Sequence, residues 1–328
     1  MKRIAIMLSL CLLSMPAGAE NINSKKDAIV GGRPANGAEL HGTVALVMRG
    51  SNELLCTGTL VAPQVVVTAA HCFHNQEQTE IVTFASDLEV VYGALDLGRI
   101  RSEQRRTIST IVTHGQYMKV ENVPYDTAGI GQNNDIAVML LDRAIEDYPA
   151  IPILPQSLAA EVMTAGRPLI VSGYGLTSID DQPMGSSKLY YAETPYVRGT
   201  KTEFIAGGEG KSDTCNGDSG GPVYARVGQT LYLVGETSRA VEDGQLICGS
   251  GGIYTLTTPY TNWLKENSRG LYTEQQPPQT VGTPIAANPG EQGNQGGCSA
   301  AGGAPSSAAL LLMLALLPFL RRKRRATL

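Results

Sequence analysis

Aromatic and charged side chains are both scarce in this sequence of 328 residues. Only 5% of positions are aromatic, with a single Trp, and only 17% are charged. That composition, with little helical periodicity, excludes a coiled coil, and an apolar content of 42% excludes a largely disordered chain. No internal repeat occurs, so a repeat array is excluded too. No CxxC pair occurs among the six cysteines, which removes most of the case for a zinc site. Basic residues are sparse where they would matter. Seven of the 26 lie at the extreme termini, leaving 19 against 30 acids, a formal charge of −11 for the body. An acidic body excludes nucleic acid as the expected partner.

What is present is glycine, 37 residues of it, and short β-like runs separated by turn residues. Such runs cover 44–48, 65–69, 136–141, 169–173, 231–235 and 253–256, which predicts an all-β sandwich or barrel architecture. One exception is 259–267, where Tyr260, Trp263 and Leu264 recur at helical spacing and predict a short closing helix near a Thr cap. The length suits one large domain or two small ones.

Both ends differ from the body. Lys2 and Arg3, an apolar stretch 4–15 and Ala17-Gly18-Ala19 read as a signal peptide over 1–19, too short for a membrane anchor. Residues 20–28 are a short polar segment. Residues 270–297 are rich in Gln, Gly, Pro, Thr and Asn and read as a flexible linker. An apolar run, 308–320, then precedes five consecutive basic residues, 321–325. Cys11 lies in the signal peptide and Cys298 beside the tail. Cys56, Cys72, Cys215 and Cys248 lie in the body and, in an exported chain, suggest two disulfides of a pairing that spacing leaves open.

Three islands carry chemistry. They are Thr68-Ala69-Ala70-His71-Cys72, then Asn133-Asn134-Asp135-Ile136-Ala137-Val138, then Asp213-Thr214-Cys215-Asn216-Gly217-Asp218-Ser219-Gly220-Gly221-Pro222. A serine hydroxyl is a poor nucleophile at neutral pH and needs a base to take its proton; a histidine oriented by a carboxylate is such a base. With Ile29-Val30-Gly31-Gly32 ahead of them, the islands resemble the chymotrypsin-like (trypsin-like) serine proteases, in that family's His, Asp, Ser order, over about 29–267.

The resemblance implies two six-stranded antiparallel β-barrels, about 29–150 and 151–258, then the closing helix, within a protease domain 29–269. It implies His71, Asp135 and Ser219 as a catalytic triad, with Gly217 and Ser219 N–H groups forming an oxyanion hole. Ile29 and Asp218 would pair after cleavage before Ile29, making residues 20–28 an activation propeptide of a zymogen. Asp213 would lie at the base of the primary pocket and favour Arg or Lys. Ser238 would line that pocket and support the buried Asp, and Ala240 and Gly252 would form its walls. Ala240 replaces the usual glycine, adding a methyl group at the entrance, and Arg239 replaces a usual aromatic. The implied disulfides are Cys56–Cys72 and Cys215–Cys248. His41, His74 and His114, like Asp126, Asp142 and Asp147, lack matching context and read as packing or surface groups.

Ala28 stands where a basic residue would be expected, which points to an activating protease that accepts small residues. The Cys298 tail, 298–328, resembles bacterial surface sorting signals of the myxosortase type, with a plain membrane anchor as the alternative. The expectation is a secreted or outer-surface serine endopeptidase acting on protein or peptide substrates and needing no cofactor or metal. The competing readings are an inactive homologue serving as a surface binding module, and a protease of chymotrypsin-like or elastase-like preference.

Overall fold

A computed structural model describes residues 29–274, apart from 38–39, 76, 78, 118–124, 176–187, 245 and 247. The expected segments 1–19, 20–28 and 298–328, with Cys298, lie outside the described residues, as does the linker beyond Glu274. The strands are β1 (Arg33–Pro34), β2 (Thr43–Met48), β3 (Leu54–Ala62), β4 (Val65–Thr68), β5 (Leu88–Tyr92), β6 (Arg105–Thr113), β7 (Ala137–Leu141), β8 (Pro168–Gly173), β9 (Tyr190–Gly199), β10 (Glu203–Ala206), β11 (Pro222–Val227), β12 (Thr230–Ala240) and β13 (Gly252–Leu256).

They form two closed six-stranded antiparallel barrels. The first runs β2-β3-β4-β7-β6-β5; the second runs β9-β10-β13-β12-β11-β8 and closes through β8 on β9, with β1 added at β9. Apolar runs without alternation form these strands because both faces are covered. On β4, Val66 fills the first barrel while Val65 and Val67 face the seam between barrels. On β12, Tyr232 and Val234 fill the second barrel while Leu231 and Leu233 meet that same seam. Each fully buried aliphatic side chain contributes roughly 1.5–3 kcal/mol.

Two helices complete the fold. Helix α1 (Gln156–Val162) is absent from the sequence reading because its seven residues bury only Val162, too few for a periodic signal. The closing helix begins as a 3-10 turn, Thr258–Tyr260, and continues as α2 (Thr261–Asn267). The expected Thr cap is not formed. Thr257 Oγ1 donates to Leu233 O (3.3 Å) and Thr258 Oγ1 to Leu154 O (2.7 Å), so both hydroxyls tie the turn to the barrel instead. The packed body continues past residue 270: Tyr272 is buried in the seam, and Lys265 pairs with Glu274.

The seam is therefore as much a core as either barrel. Leu233→Ala is expected to destabilise the protein by about 2–5 kcal/mol. Because Leu233 touches both barrels, urea unfolding should shift as one transition, and separation into two would contradict this packing.

Candidate active site

Where β4 ends, the chain turns through a 3-10 segment, Ala70–Phe73, which carries His71. Cys72 in that turn is bonded to Cys56 of β3, and Cys215 is bonded to Cys248; both pairings expected from the resemblance are formed. The ligand atoms of His71, Cys56 and Cys72 lie within 4.8 Å of one another, but as a disulfide the two sulfurs offer no thiolate to a metal.

Asp135 precedes β7 and is 2% exposed. Its Oδ1 accepts the His71 backbone N–H (2.9 Å), and its Oδ2 lies 2.8 Å from His71 Nδ1. Ser238 Oγ donates to the same Oδ2 at 2.6 Å, so the buried acid that Ser238 supports is Asp135, not the pocket acid Asp213. Thr255 Oγ1 on β13 donates to the Asp135 carbonyl (3.1 Å). Burial alone would raise the Asp135 pKa; the His71 charge and the His71 and Ser238 hydrogen bonds overcome it and hold the carboxyl below its ordinary range. An ionised Asp135 only accepts, so Nδ1 carries the proton and Nε2 is the basic nitrogen. For His71, burial pulls its pKa down, but the charge and hydrogen bond of Asp135 leave it raised, with Arg239 acting against them.

Ser219 lies in the 213–221 loop between β10 and β11. Its carbonyl accepts Thr57 N–H from β3 (2.9 Å), and Thr57 Oγ1 donates to Gly217 O (2.9 Å), so barrel one holds the loop. Barrel two holds it through Gly220 N–H to Thr237 O (2.8 Å). Gly217 has φ +93° and Gly220 +71°, a conformation that costs a side-chain-bearing residue about 1–2 kcal/mol. A Cβ at Gly220 would also lie 2.8 Å from Ala69 N, beside the histidine turn. Among the described residues, the Gly217 and Ser219 N–H groups have no acceptor, and no hydrogen bond joins Ser219 Oγ to His71. In free enzymes that last contact is commonly long and tightens on binding substrate.

Ser219 opens on a cavity of about 270 Å³ whose lining includes Asp213, Ser238, Arg239, Ala240 and Gly252. Asp213 is 2% exposed and accepts N–H groups from Thr214 (2.8 Å), Gly249 (2.9 Å) and Gly251 (3.0 Å). Burial outweighs these donors and raises its pKa. No cation pairs with it among the described residues. Behind it, the Asp218 oxygens accept Gly175 N–H (2.8 Å) and Cys215 N–H (2.9 Å); burial pushes that carboxyl up to about 7. Ile29 is fully buried inside the second barrel, and Val30 bridges Asp213.

The remaining candidates stand apart. His74 bonds Ala70 O (2.9 Å), His114 packs on Tyr260 and Trp263, and Asp126 pairs with Arg198. Asp142 and Asp147 are exposed, and His41 is partly exposed with no side-chain partner at this cleft. Sequence reasoning missed Glu203 and Glu236. Both are fully buried acids, and a charge beside an apolar run, Phe204-Ile205-Ala206 for one and Leu231-Tyr232-Leu233-Val234 for the other, was the available signal. The two Glu236 oxygens have no partner among the described residues, and burial, then Asp135, push its carboxyl well above its ordinary range.

Removal of the Ser238 hydroxyl tests this arrangement. Ser238→Ala should cost about 1–3 kcal/mol of stability at neutral pH. A depressed carboxyl stabilises above its unfolded pKa, about 3.9, and that stabilisation fades as the pH falls toward the folded value. The difference between the two proteins in urea should therefore shrink below about pH 4; a pH-independent difference would contradict the bond.

Comparison with known proteins gives a consistent result. The family model for trypsin matches residues 29–264. The chain is 31% identical to human (Homo sapiens) kallikrein-4 over 241 residues, 68% of this chain and 80% of the relative. It is 30% identical to coagulation factor IX of Cavia porcellus over 72% of this chain and 80% of the relative. Phenoloxidase-activating factor 3 of Holotrichia diomphalia is 28% identical, over 67% of this chain and 66% of the relative.

Proposed function

Because the chain belongs to the trypsin family of serine proteases, we propose that it cleaves proteins or peptides after Arg or Lys through a Ser219–His71–Asp135 triad. The observation that carries this reading is Asp135, whose carboxylate bonds both the backbone and the ring of His71 in the cleft that also holds Ser219 and the Asp213 cavity. Asp135 fixes the imidazole proton on Nδ1. Nε2 takes the Ser219 proton as Oγ attacks the scissile carbonyl, and the Gly217 and Ser219 N–H groups bind the oxyanion. His71 then protonates the leaving amine, and water, activated by the same base, hydrolyses the acyl-enzyme. Each oxyanion donor supplies about 3–4 kcal/mol to the transition state. Ser219, His71 and Asp135 supply the chemistry with no metal or cofactor.

Asp213 sets the preference. An acid whose close partners among the described residues are all neutral N–H and O–H groups favours a cationic side chain from the substrate. Ala240 and Gly252 flank that side chain. A serine-reactive probe should label the matured protein at Ser219 and leave Ser219→Ala unlabelled; absence of labelling would favour the binding-module reading. On Arg, Phe and Ala peptides, Asp213→Ser should lose about 10³-fold or more on Arg and little on the others. Equal activity on all three peptides before substitution would overturn the basic preference.

We further infer that the chain is a zymogen. While bonded to Ala28, Ile29 holds φ +57°, a poor conformation for a β-branched residue, and cutting the bond before it abolishes that torsion. The freed ammonium would pair with Asp218. The sign of the resulting pH effect is determined. A carboxyl raised to about 7 holds its proton in the folded chain when the unfolded chain has lost it. Stability of the uncleaved chain therefore falls between about pH 4 and 7, by up to about 4 kcal/mol. Cleavage before Ile29 should flatten that slope, as read from urea midpoints. An unchanged slope, or full activity with residues 20–28 attached, would contradict activation by Ile29 and Asp218. Secretion through 1–19, an activating protease that accepts Ala28, and surface attachment near Cys298 belong to the same proposal.

A further inference from the structure

Glu203 and Arg239 take no part in the mechanism above, yet Arg239 bonds the Ser238 hydroxyl that holds Asp135. Glu203 opens β10 and is fully buried. Its Oε1 accepts Arg239 Nη1 at 2.7 Å, and its Oε2 accepts Nη2 at 3.1 Å and the Gly131 N–H at 2.7 Å. Arg239 also donates to the Gly129 carbonyl (2.6 Å) and to Ser238 Oγ (3.2 Å). Gly129 and Gly131 belong to the barrel-one loop that leads into Asp135. A single forked ion pair thus joins β10, the Ser238 hydroxyl and that loop.

The hydrogen-bond direction follows from chemistry. A guanidinium has only donors, so Ser238 Oγ must accept from it. The Ser238 proton is then committed to its other partner, Asp135 Oδ2. An arginine is suited to this place because its planar fork engages a carboxylate with two parallel bonds while its remaining donors reach elsewhere.

We propose that the Glu203–Arg239 pair positions the triad, with Arg239 acting through Ser238 and the 129–131 loop on Asp135 and, through it, on His71. This rests on the triad reading above. Arg239 also sets the charge balance. It opposes the rise that Asp135 imposes on His71. The other titratable groups facing this region are Glu236 and Tyr117 beside Asp135, Tyr260 beside Glu203 and Glu236, Tyr125 beside Arg239, and Glu242 beside Tyr125. Burial raises the pKa of Glu236 and of the three tyrosines and so disfavours their charged forms.

The test is steady-state kinetics of the matured enzyme on a short Arg substrate across pH, for wild type, Arg239→Lys and the double variant E203Q/R239M. The double variant removes both buried charges together, which avoids stranding Glu203, and an amide oxygen at 203 still accepts the Gly131 N–H. Its kcat should fall about tenfold or more with KM within about threefold. The acid midpoint of kcat/KM should move up by about half a pH unit, since of the two charges removed it is Arg239 that acts against the rise on His71. Arg239→Lys keeps the cation but not the fork, so it should keep the wild-type midpoint while losing kcat. Unchanged kcat in Arg239→Lys, or a double variant altered only in KM, would overturn the proposal and leave the pair as a wall of the substrate cleft. A wild type without activity or Ser219 labelling would instead sink the triad reading on which it stands.

Discussion

A carboxylate taken out of water costs several kcal/mol unless its lone pairs are met. Asp135 is 2% exposed, and the molecule is arranged to meet that need. Barrel one supplies the His71 backbone and ring, while barrel two supplies Ser238 to the carboxylate and Thr255 to the carbonyl. The barrels cannot part without exposing an unsatisfied charge, nor can His71 rotate without losing its ring bond to Asp135. One electrostatic requirement therefore sets the tautomer of His71 and the register of the two barrels together.

The Ser219 loop obeys a similar rule with backbone groups. Thr57 grips it from the first barrel and Thr237 from the second, while the Cys215–Cys248 bond closes it on the far side. Gly217 and Gly220 allow it to take turns that side chains would resist. Two N–H groups without an acceptor among the described residues, those of Gly217 and Ser219, thereby sit in a loop held from both barrels. Asp213 and Asp218 sit beneath the same loop with, among the described residues, only neutral donors on their carboxylates. Two acids in one buried wall repel each other, and cations from outside, the substrate side chain and the freed amino terminus in the reading above, would relieve both.

Much of this was legible in residues alone. Runs such as Val65-Val66-Val67 announce strands buried on both faces, and their positions agree with β4 to within a residue or two. The His71, Asp135 and Ser219 islands carry enough sequence to suggest their family, and with it the barrels and the cysteine pairs. What escaped depends on contacts far apart in the chain. Glu203 and Arg239 are 36 positions apart, and nothing near either one names the other. Thr257 and Thr258 look like caps in sequence, but strands they meet only after folding claim their hydroxyls. Tyr272 reads as the start of a polar linker until the seam that buries it is assembled.

The central claim is that ionised Asp135 holds the His71 proton on Nδ1 and raises the basicity of the ring. Proton NMR of the folded Ser219→Ala protein, which cannot digest itself, tests it directly by following the His71 ring through a pH titration. A far-downfield Nδ1 proton that is lost in Asp135→Asn, with a ring pKa above the ordinary value of about 6.5, is the result expected. A ring that titrates below that value, or whose spectrum is indifferent to the loss of the Asp135 carboxylate, would contradict it.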